Sequence, residues 1–246
     1  MASSQAQPLD LRELKRVCSN CSLKELCVPM GLARAEVERL DKVVEKSKTL
    51  HGGDHLFRKG DAMRSIYAVR SGTFKSYAVN REGEEQVIGF HLPGELVGLD
   101  AIHPDYHQCS VVALDTASAC VLPFQQLSEL ASNIPGLQRQ IMRLLSKEIS
   151  AMVPLAGDHS AEERMATFLQ DLAKRLGERG YSATDIHLAM SRRDIANYLR
   201  LATETVSRVL KKFQNKGWIA VDRRHLRILD QQALGELAKD SLSEQD

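Results

Sequence analysis

The stretch Ser191 to Gly217, SRRDIANYLRLATETVSRVLKKFQNKG, constrains the fold more than any other part of the chain. Ser191 and Asp194 form an S-x-x-D capping box, and Thr203 is placed to cap a second helix after a tight turn. Two such helices make a helix-turn-helix. In the second, Val206, Val209, Leu210 and Phe213 form an apolar stripe, while Glu204, Ser207, Arg208 and Lys211 fall at i, i+3, i+4 and i+7 on another face, with Thr205 beside them. Arg can make paired hydrogen bonds to guanine, Glu accepts from the cytosine amino group, and Ser bonds several base edges. Such side chains near a helix N-terminus suit the reading of double-stranded DNA. An ordinary solvated surface helix has the same periodicity, so the neighbouring residues decide.

Gly217 stops the helix, and Trp218–Val221 and Leu226–Leu229 flank the short basic turn Asp222-Arg223-Arg224-His225 as a hairpin. A wing of this kind can lie along phosphates through Arg223 and Arg224. From Leu188 to Leu229 there are ten Lys or Arg against three Asp or Glu, a net of +7, whereas the whole chain is only +1. A basic patch on a near-neutral protein is the electrostatic footprint of a nucleic-acid module.

A length of 246 residues, 43% of them hydrophobic and 26% charged, allows two ordinary globular cores. No apolar run approaches the roughly 20 residues of a membrane span, and the polar start MASSQAQPLDLRELKR has no signal-peptide hydrophobic region, so a cytoplasmic protein is expected. Five cysteines in such a compartment are more readily thiols, metal ligands or redox groups than structural disulfides. No dinucleotide-type G-x-G-x-x-G, P-loop or nucleophile elbow is present, and no enzyme is expected.

Residues 1–28 read as an arm carrying Cys18, Cys21 and Cys27 in a C-x2-C-x5-C run. Three thiols within ten residues can converge on one centre, and thiolates suit an iron-sulfur cluster, copper(I) or zinc. A closed site needs a fourth ligand, for which Cys109 and Cys120 are the candidates. Residues 31–46 show helical spacing. Beyond them, eight of the fifteen glycines lie between positions 52 and 98, punctuating short apolar runs. Short strands with frequent turns imply a barrel- or sandwich-like β sensor domain over residues 29–124.

Residues 127–153 then read as one long amphipathic helix, with Leu137, Ile141, Leu144, Leu145, Ile149 and Met152 recurring at spacings of three and four. Such a stripe must be buried against the β-domain, against a twin helix, or both. A homodimer built on it would match a palindromic DNA site. Pro154 and Gly157 end or kink the helix, making 125–158 a dimerisation helix and hinge. Ser160 with Glu163 opens the DNA-binding domain over 159–246, whose tail after Leu237 reads as loose.

In this order of parts the chain resembles the CRP/FNR family of bacterial transcription regulators over almost its whole length, and within it the oxygen-sensing branch. The passages that carry the likeness are CSNCSLKELCVP, RSGTFKSYAV, GFHLPGELVGLDAI, CVLPF, IMRLLSKEI, AEERMATFL and DIANYLRLATETVSR. The resemblance implies an α+β fold: an N-terminal β-roll of the cyclic-nucleotide-binding jelly-roll type, a long dimerisation helix and a C-terminal winged helix-turn-helix. It implies that Cys18, Cys21, Cys27 and Cys120 hold an oxygen-labile [4Fe-4S] cluster, with Cys109 an incidental thiol. Glu204, Ser207 and Arg208 fall on the family's base-reading positions, implying TTGAT-type half-sites in an inverted repeat. Arg81, Glu82, Gly83 and Glu84 match a surface through which relatives touch RNA polymerase, although a solvated hairpin turn has the same composition.

Relatives that bind cyclic AMP use a Glu after the G-E-x-x-G turn and an Arg-Ser pair further on. Here Gly94–Gly98 is followed by Leu99, and His107-Gln108 stands where the pair would be, so the phosphate would lack a fixed partner and no cyclic nucleotide is expected. Zinc accepts the same four thiolates and is the alternative cofactor, giving a regulator without oxygen sensing. Where the oxygen-responsive dimer carries an acid, this chain has Met152, and its hinge is shorter. Pairing is then either oxygen-controlled or constitutive with the cluster adjusting domain orientation.

Overall fold

The computed structural model describes residues 18–152 and 159–240. A 3-10 turn at Cys18–Asn20 and further turns lead to helix α1 (Arg34–Val43), whose Glu36 carboxylate accepts the Ala33 N–H at 2.8 Å. Eight strands follow: β1 (Glu45–Leu50), β2 (His55–Phe57), β3 (Ser65–Ser71), β4 (Phe74–Val79), β5 (Glu85–His91), β6 (Leu96–Val97), β7 (Ser110–Ala113) and β8 (Ala117–Pro123). They pair antiparallel in two sheets of order β1-β8-β3-β6 and β2-β7-β4-β5. Leu50, Val69 and Ala119 of one sheet meet Phe57, Phe74 and Val111 of the other in a common core, so the sheets close as a roll. The β3–β4 turn requires Gly72: at φ +73° a Cβ there would lie 2.6 Å from the Cβ of Ala117. β1, β2 and β6 are not foreseen from sequence, since EKSKTL alternates poorly and the other two are three residues or fewer.

The expected single long helix is two: α2 (Phe124–Ser132) and α3 (Pro135–Met152). Pro135 cannot donate to a preceding turn and disfavours helical backbone before it, so the chain breaks and restarts there. Asn133 closes α2 by donating its side-chain amide to the Glu129 carbonyl at 2.8 Å. A second core lies between the roll and these helices, built on Leu40, Ile66, Leu122, Leu127, Ile134 and Leu137. Cys18, Cys27 and Cys120 pack at its margin.

The C-terminal domain comprises α4 (Ala161–Glu178), β9 (Asp185–His187), α5 (Arg192–Leu199), α6 (Thr203–Asn215), β10 (Ile219–Asp222), β11 (His225–Ile228) and α7 (Gln231–Asp240). Ser160 caps α4 as read, accepting the Glu163 N–H at 3.2 Å and donating its own N–H to Glu163 at 2.8 Å. The wing hairpin gains a third strand, β9, in the order β10-β11-β9. The chain past Leu237 stays helical to Asp240 rather than loosening there. Val87, Phe90 and Leu92, from β5 and the turn after it, belong to the core of this domain together with Met165, Leu169 and Phe213. Among the described residues no helix is long and apolar enough to cross a membrane.

Candidate cluster site and nucleic-acid interface

Cys18, Cys21 and Cys27 come from the turn-rich arm before α1, and Cys120 comes from β8. All four line one cavity, walled by Val28, Val44, Ala68 and Leu122 and edged by Lys24 and Arg70. The arm is tied down by Asp41 of α1, which accepts the Cys18 N–H at 2.5 Å and the Ser19 hydroxyl at 3.0 Å. Gln140 of α3 donates to the Cys27 carbonyl at 3.3 Å. Neither Asp41 nor Gln140 is signalled by the sequence, because each acts across more than 20 residues on a main-chain group.

Among the described residues no three His, Cys, Asp or Glu side chains stand close enough to hold a metal ion as placed. The thiols therefore share a cavity without forming a closed ligand set. Their chemistry nonetheless fits a soft cationic centre. Burial pushes the Cys27 thiol up to about 12, with the nearby Cys120 and Cys21 adding to the rise against the Val28 N–H. Cys18 is raised by burial, then by Asp41, Cys27 and Cys120. Cys120 is raised by burial although Arg70 pulls it down. Crowded thiols in an apolar cavity resist ionising together, and a bound cation relieves that cost. Cys109 lies outside this cavity, buried, with its Sγ 3.4 Å from Asp100, and burial pushes it up to about 12.

His107 is 1% exposed and stacks on Phe57 with ring centroids 3.6 Å apart, while its Nδ1 stands 3.6 Å from Asp100. It is a packed core ring. The loop 80–84 is an exposed hairpin turn whose shape comes from Asn80: its side-chain oxygen accepts the N–H of Glu82 at 3.1 Å and of Glu84 at 2.8 Å. On α3, Ile141 and Leu144 pack toward the roll's second core, whereas Met142 and Ile149 are 59% and 68% exposed. Leu145 is half-buried. The side chain of Met152, with Pro154 and Gly157, lies outside the described residues.

In the reading domain, Ser191 caps α5 by accepting the Asp194 N–H at 3.1 Å. The N-cap of α6 is Ala202 rather than Thr203, and it makes no side-chain cap bond. Thr203 instead lends its carbonyl to the Ser207 hydroxyl at 3.1 Å. The apolar stripe of α6 is buried as its spacing requires, with Val206 and Phe213 at 0% exposure. Glu204, Ser207, Arg208 and Lys211 are exposed, Arg208 donating to the Thr205 hydroxyl at 3.1 Å. At the wing tip, Asp222 pairs with His225, leaving the exposed Arg223 and Arg224 as a two-residue turn. Arg223 has φ +54°.

Residues 163–237 match a Crp-like helix-turn-helix domain, and residues 47–133 a cyclic nucleotide-binding domain. The chain is 44% identical over 224 residues to the electron transport regulator A of Shewanella oneidensis, covering 90% of each protein. It is 43% identical over the same length and coverage to the fumarate and nitrate reduction regulatory protein of Escherichia coli K12. The structure of FixK2 from Bradyrhizobium japonicum superposes with a TM-score of 0.71 at 28% identity, covering 78% of this chain and 96% of that one. A CRP/FNR-family transcriptional regulator of Thermus thermophilus shares the fold, with a TM-score of 0.61 at 20% identity over 79% of this chain and 98% of the other. With its β-roll, its helix-turn-helix and these relatives, the chain belongs to the CRP/FNR family of DNA-binding transcription regulators.

Proposed function

We propose that this regulator senses oxygen through a [4Fe-4S] cluster held by Cys18, Cys21, Cys27 and Cys120, and acts on DNA as a homodimer. The observation that carries the reading is that three thiols of the arm and one of β8 line a single apolar cavity at the base of the helices. When bound, the cluster would supply an oxygen-labile redox centre. The chain's own residues do the rest. The arm is joined to α3 through Gln140 and to α1 through Asp41, so ordering the arm bears on the helix proposed to pair with its twin. Ile141, Leu144, Leu145, Ile149 and Met152 are the residues assigned to that helix interface, and in this chain Met142 and Ile149 present the exposed apolar surface.

Glu204, Ser207 and Arg208 would read TTGAT-type half-sites in an inverted repeat, with Thr205 and Lys211 beside them. Arg223 and Arg224 would follow the phosphates. The turn Arg81–Glu84 is assigned to RNA polymerase. The buried Phe57–His107 stack, with His107-Gln108 standing where cyclic-AMP-binding relatives carry an Arg-Ser pair, supports a roll that takes no cyclic nucleotide.

An absorption spectrum with iron, sulfide and zinc analysis on protein purified without oxygen tests this reading. About four irons per chain with visible absorbance that bleaches in air is expected. A colourless protein with about one zinc would replace the oxygen sensor by a zinc-stapled regulator and leave the DNA reader intact.

A further inference from the structure

The turn between β5 and β6 touches the cysteine arm on one side and the DNA-reading domain on the other. Gly94 has φ +92°, and a Cβ there would stand 3.1 Å from the Cβ of Leu26, the neighbour of Cys27. The next residue, Glu95, accepts Arg175 of α4 at 2.7 and 3.0 Å and Arg179, the C-cap of that helix, at 2.6 Å. The same guanidinium groups donate to the carbonyls of Phe90 in β5 and Pro93 in the turn, while Arg175 also pairs with Asp171 at 3.1 Å and Arg179 donates to the Arg175 carbonyl. The turn is fastened to β3, since Gly94 N–H donates to the Val69 carbonyl and Val69 N–H to the Glu95 carbonyl, each at 2.8 Å.

A second seam lies beside it. Asn197 of α5 pairs with the open edge of β5, its Oδ1 accepting the Val87 N–H and its Nδ2 donating to the Glu85 carbonyl, both at 2.6 Å. Lys75, with 11% of its side chain exposed, stands between Asp194 at 2.8 Å and Glu85 at 3.1 Å. Phe90, Phe168 and Tyr198 fill the space between the seams with ring centroids 5.3 to 6.1 Å apart. Buried ion pairs of this kind contribute little net stability, yet breaking one partner is costly because a charge is left uncompensated. They therefore select one arrangement of two domains over its neighbours.

We propose that Glu95 is a positioning residue that fixes the reading head on the sensor roll, and that the Gly94–Glu95 turn passes the state of the cysteine arm to that head within one subunit. The second half rests on the cluster reading; the first does not. An arm that packs differently with and without its cluster presses differently on Gly94, and the head moves with Glu95. Two heads must match two half-sites at a fixed spacing, so a change in head orientation is read as a change in affinity for the paired site.

The test uses the full chain and two DNA duplexes, one with a TTGAT inverted repeat and one with a single half-site. Glu95→Gln should weaken binding to the repeat by about tenfold, within the usual range of coupling between sites, and leave the single half-site unaffected. It should also speed hydrogen exchange across residues 85–92, and Glu95→Asp should restore both properties. Gly94→Ala should narrow the affinity difference between cluster-loaded and cluster-free protein without altering the visible spectrum. Wild-type affinity and exchange in Glu95→Gln would overturn the positioning role. Should that variant not fold, Asn197→Ala, which removes no charge, decides by the same measurements. An unchanged difference in Gly94→Ala would overturn the coupling. A wild-type protein that takes up no iron would overturn the cluster reading and the coupling with it, while the Glu95 comparison still decides the first half.

Discussion

Gln140 of α3 donates its side-chain amide to the main-chain carbonyl of Cys27 across 3.3 Å, and Gln140 is only 3% exposed. Its own Oε1 is buried without a hydrogen-bond partner among the described residues. Gln140→Met removes that orphan acceptor together with the hydrogen bond, so global stability should change by no more than about 1 kcal/mol. The arm should loosen locally instead. In cluster-free protein, alkylation of Cys27 followed by mass spectrometry should run about three- to tenfold faster than in wild type, with Cys109 as the internal reference. Equal Cys27 rates would show that the arm is held elsewhere.

Glu148 of α3 lies near the Glu95–Arg175 pair, not the cysteine arm. Burial, and then the charge of Glu95, push its carboxyl up to about 7 against the pull of Arg175 and Lys147. A carboxyl raised in the folded state is tolerated while neutral, so its cost is absent below the ordinary glutamate value, grows as pH rises from there, and levels off above about 7. Wild type should therefore lose up to about 3 kcal/mol relative to Glu148→Gln between pH 4.5 and pH 8. Denaturant titrations of both proteins at the two ends read this directly, and parallel pH dependence would place Glu148 in water.

The reading helix was legible because one element carries its whole signal: Val206, Val209, Leu210 and Phe213 repeat at helical spacing and are all buried. The capping box at Ser191 was legible for the same local reason. The Ala202 cap of α6 was not, because backbone geometry fixed the boundary one residue before the best capping side chain. The gathering of Cys120 with the arm came from resemblance, since spacing alone left two candidate thiols. The docking seams were invisible. Asp194 looked complete as a helix cap, yet it also bonds Lys75, 119 residues away, and no periodicity records such a pair.

The roll should not respond to cyclic AMP. Phe57 and His107 stack at 3.6 Å with His107 buried, and Leu99 follows Gly98 where an acid would be needed. A ligand bound at a hundred times its dissociation constant would stabilise the fold by about 2.7 kcal/mol and raise the melting temperature by several degrees. Thermal unfolding with about 1 mM cyclic AMP should instead overlay the ligand-free curve, and a shift of that size would sink the assignment.

Arg208 and Arg224 are both exposed and both basic, yet they should fail differently. Arg208 sits one turn into α6 with its guanidinium braced on the Thr205 hydroxyl at 3.1 Å, a geometry suited to a base edge. Arg208→Ala should cost about 1 to 3 kcal/mol on the preferred site and flatten the preference at one base pair per half-site. Arg224 occupies the two-residue wing turn, where a side chain meets phosphates. Arg224→Ala should weaken binding by a similar factor on every sequence and lower the slope of log affinity against log salt by about one per subunit. Binding titrations on single-base variants of the site at two salt concentrations separate the two roles. Uniform loss in Arg208→Ala would make it a phosphate contact and move base reading to Glu204 and Ser207.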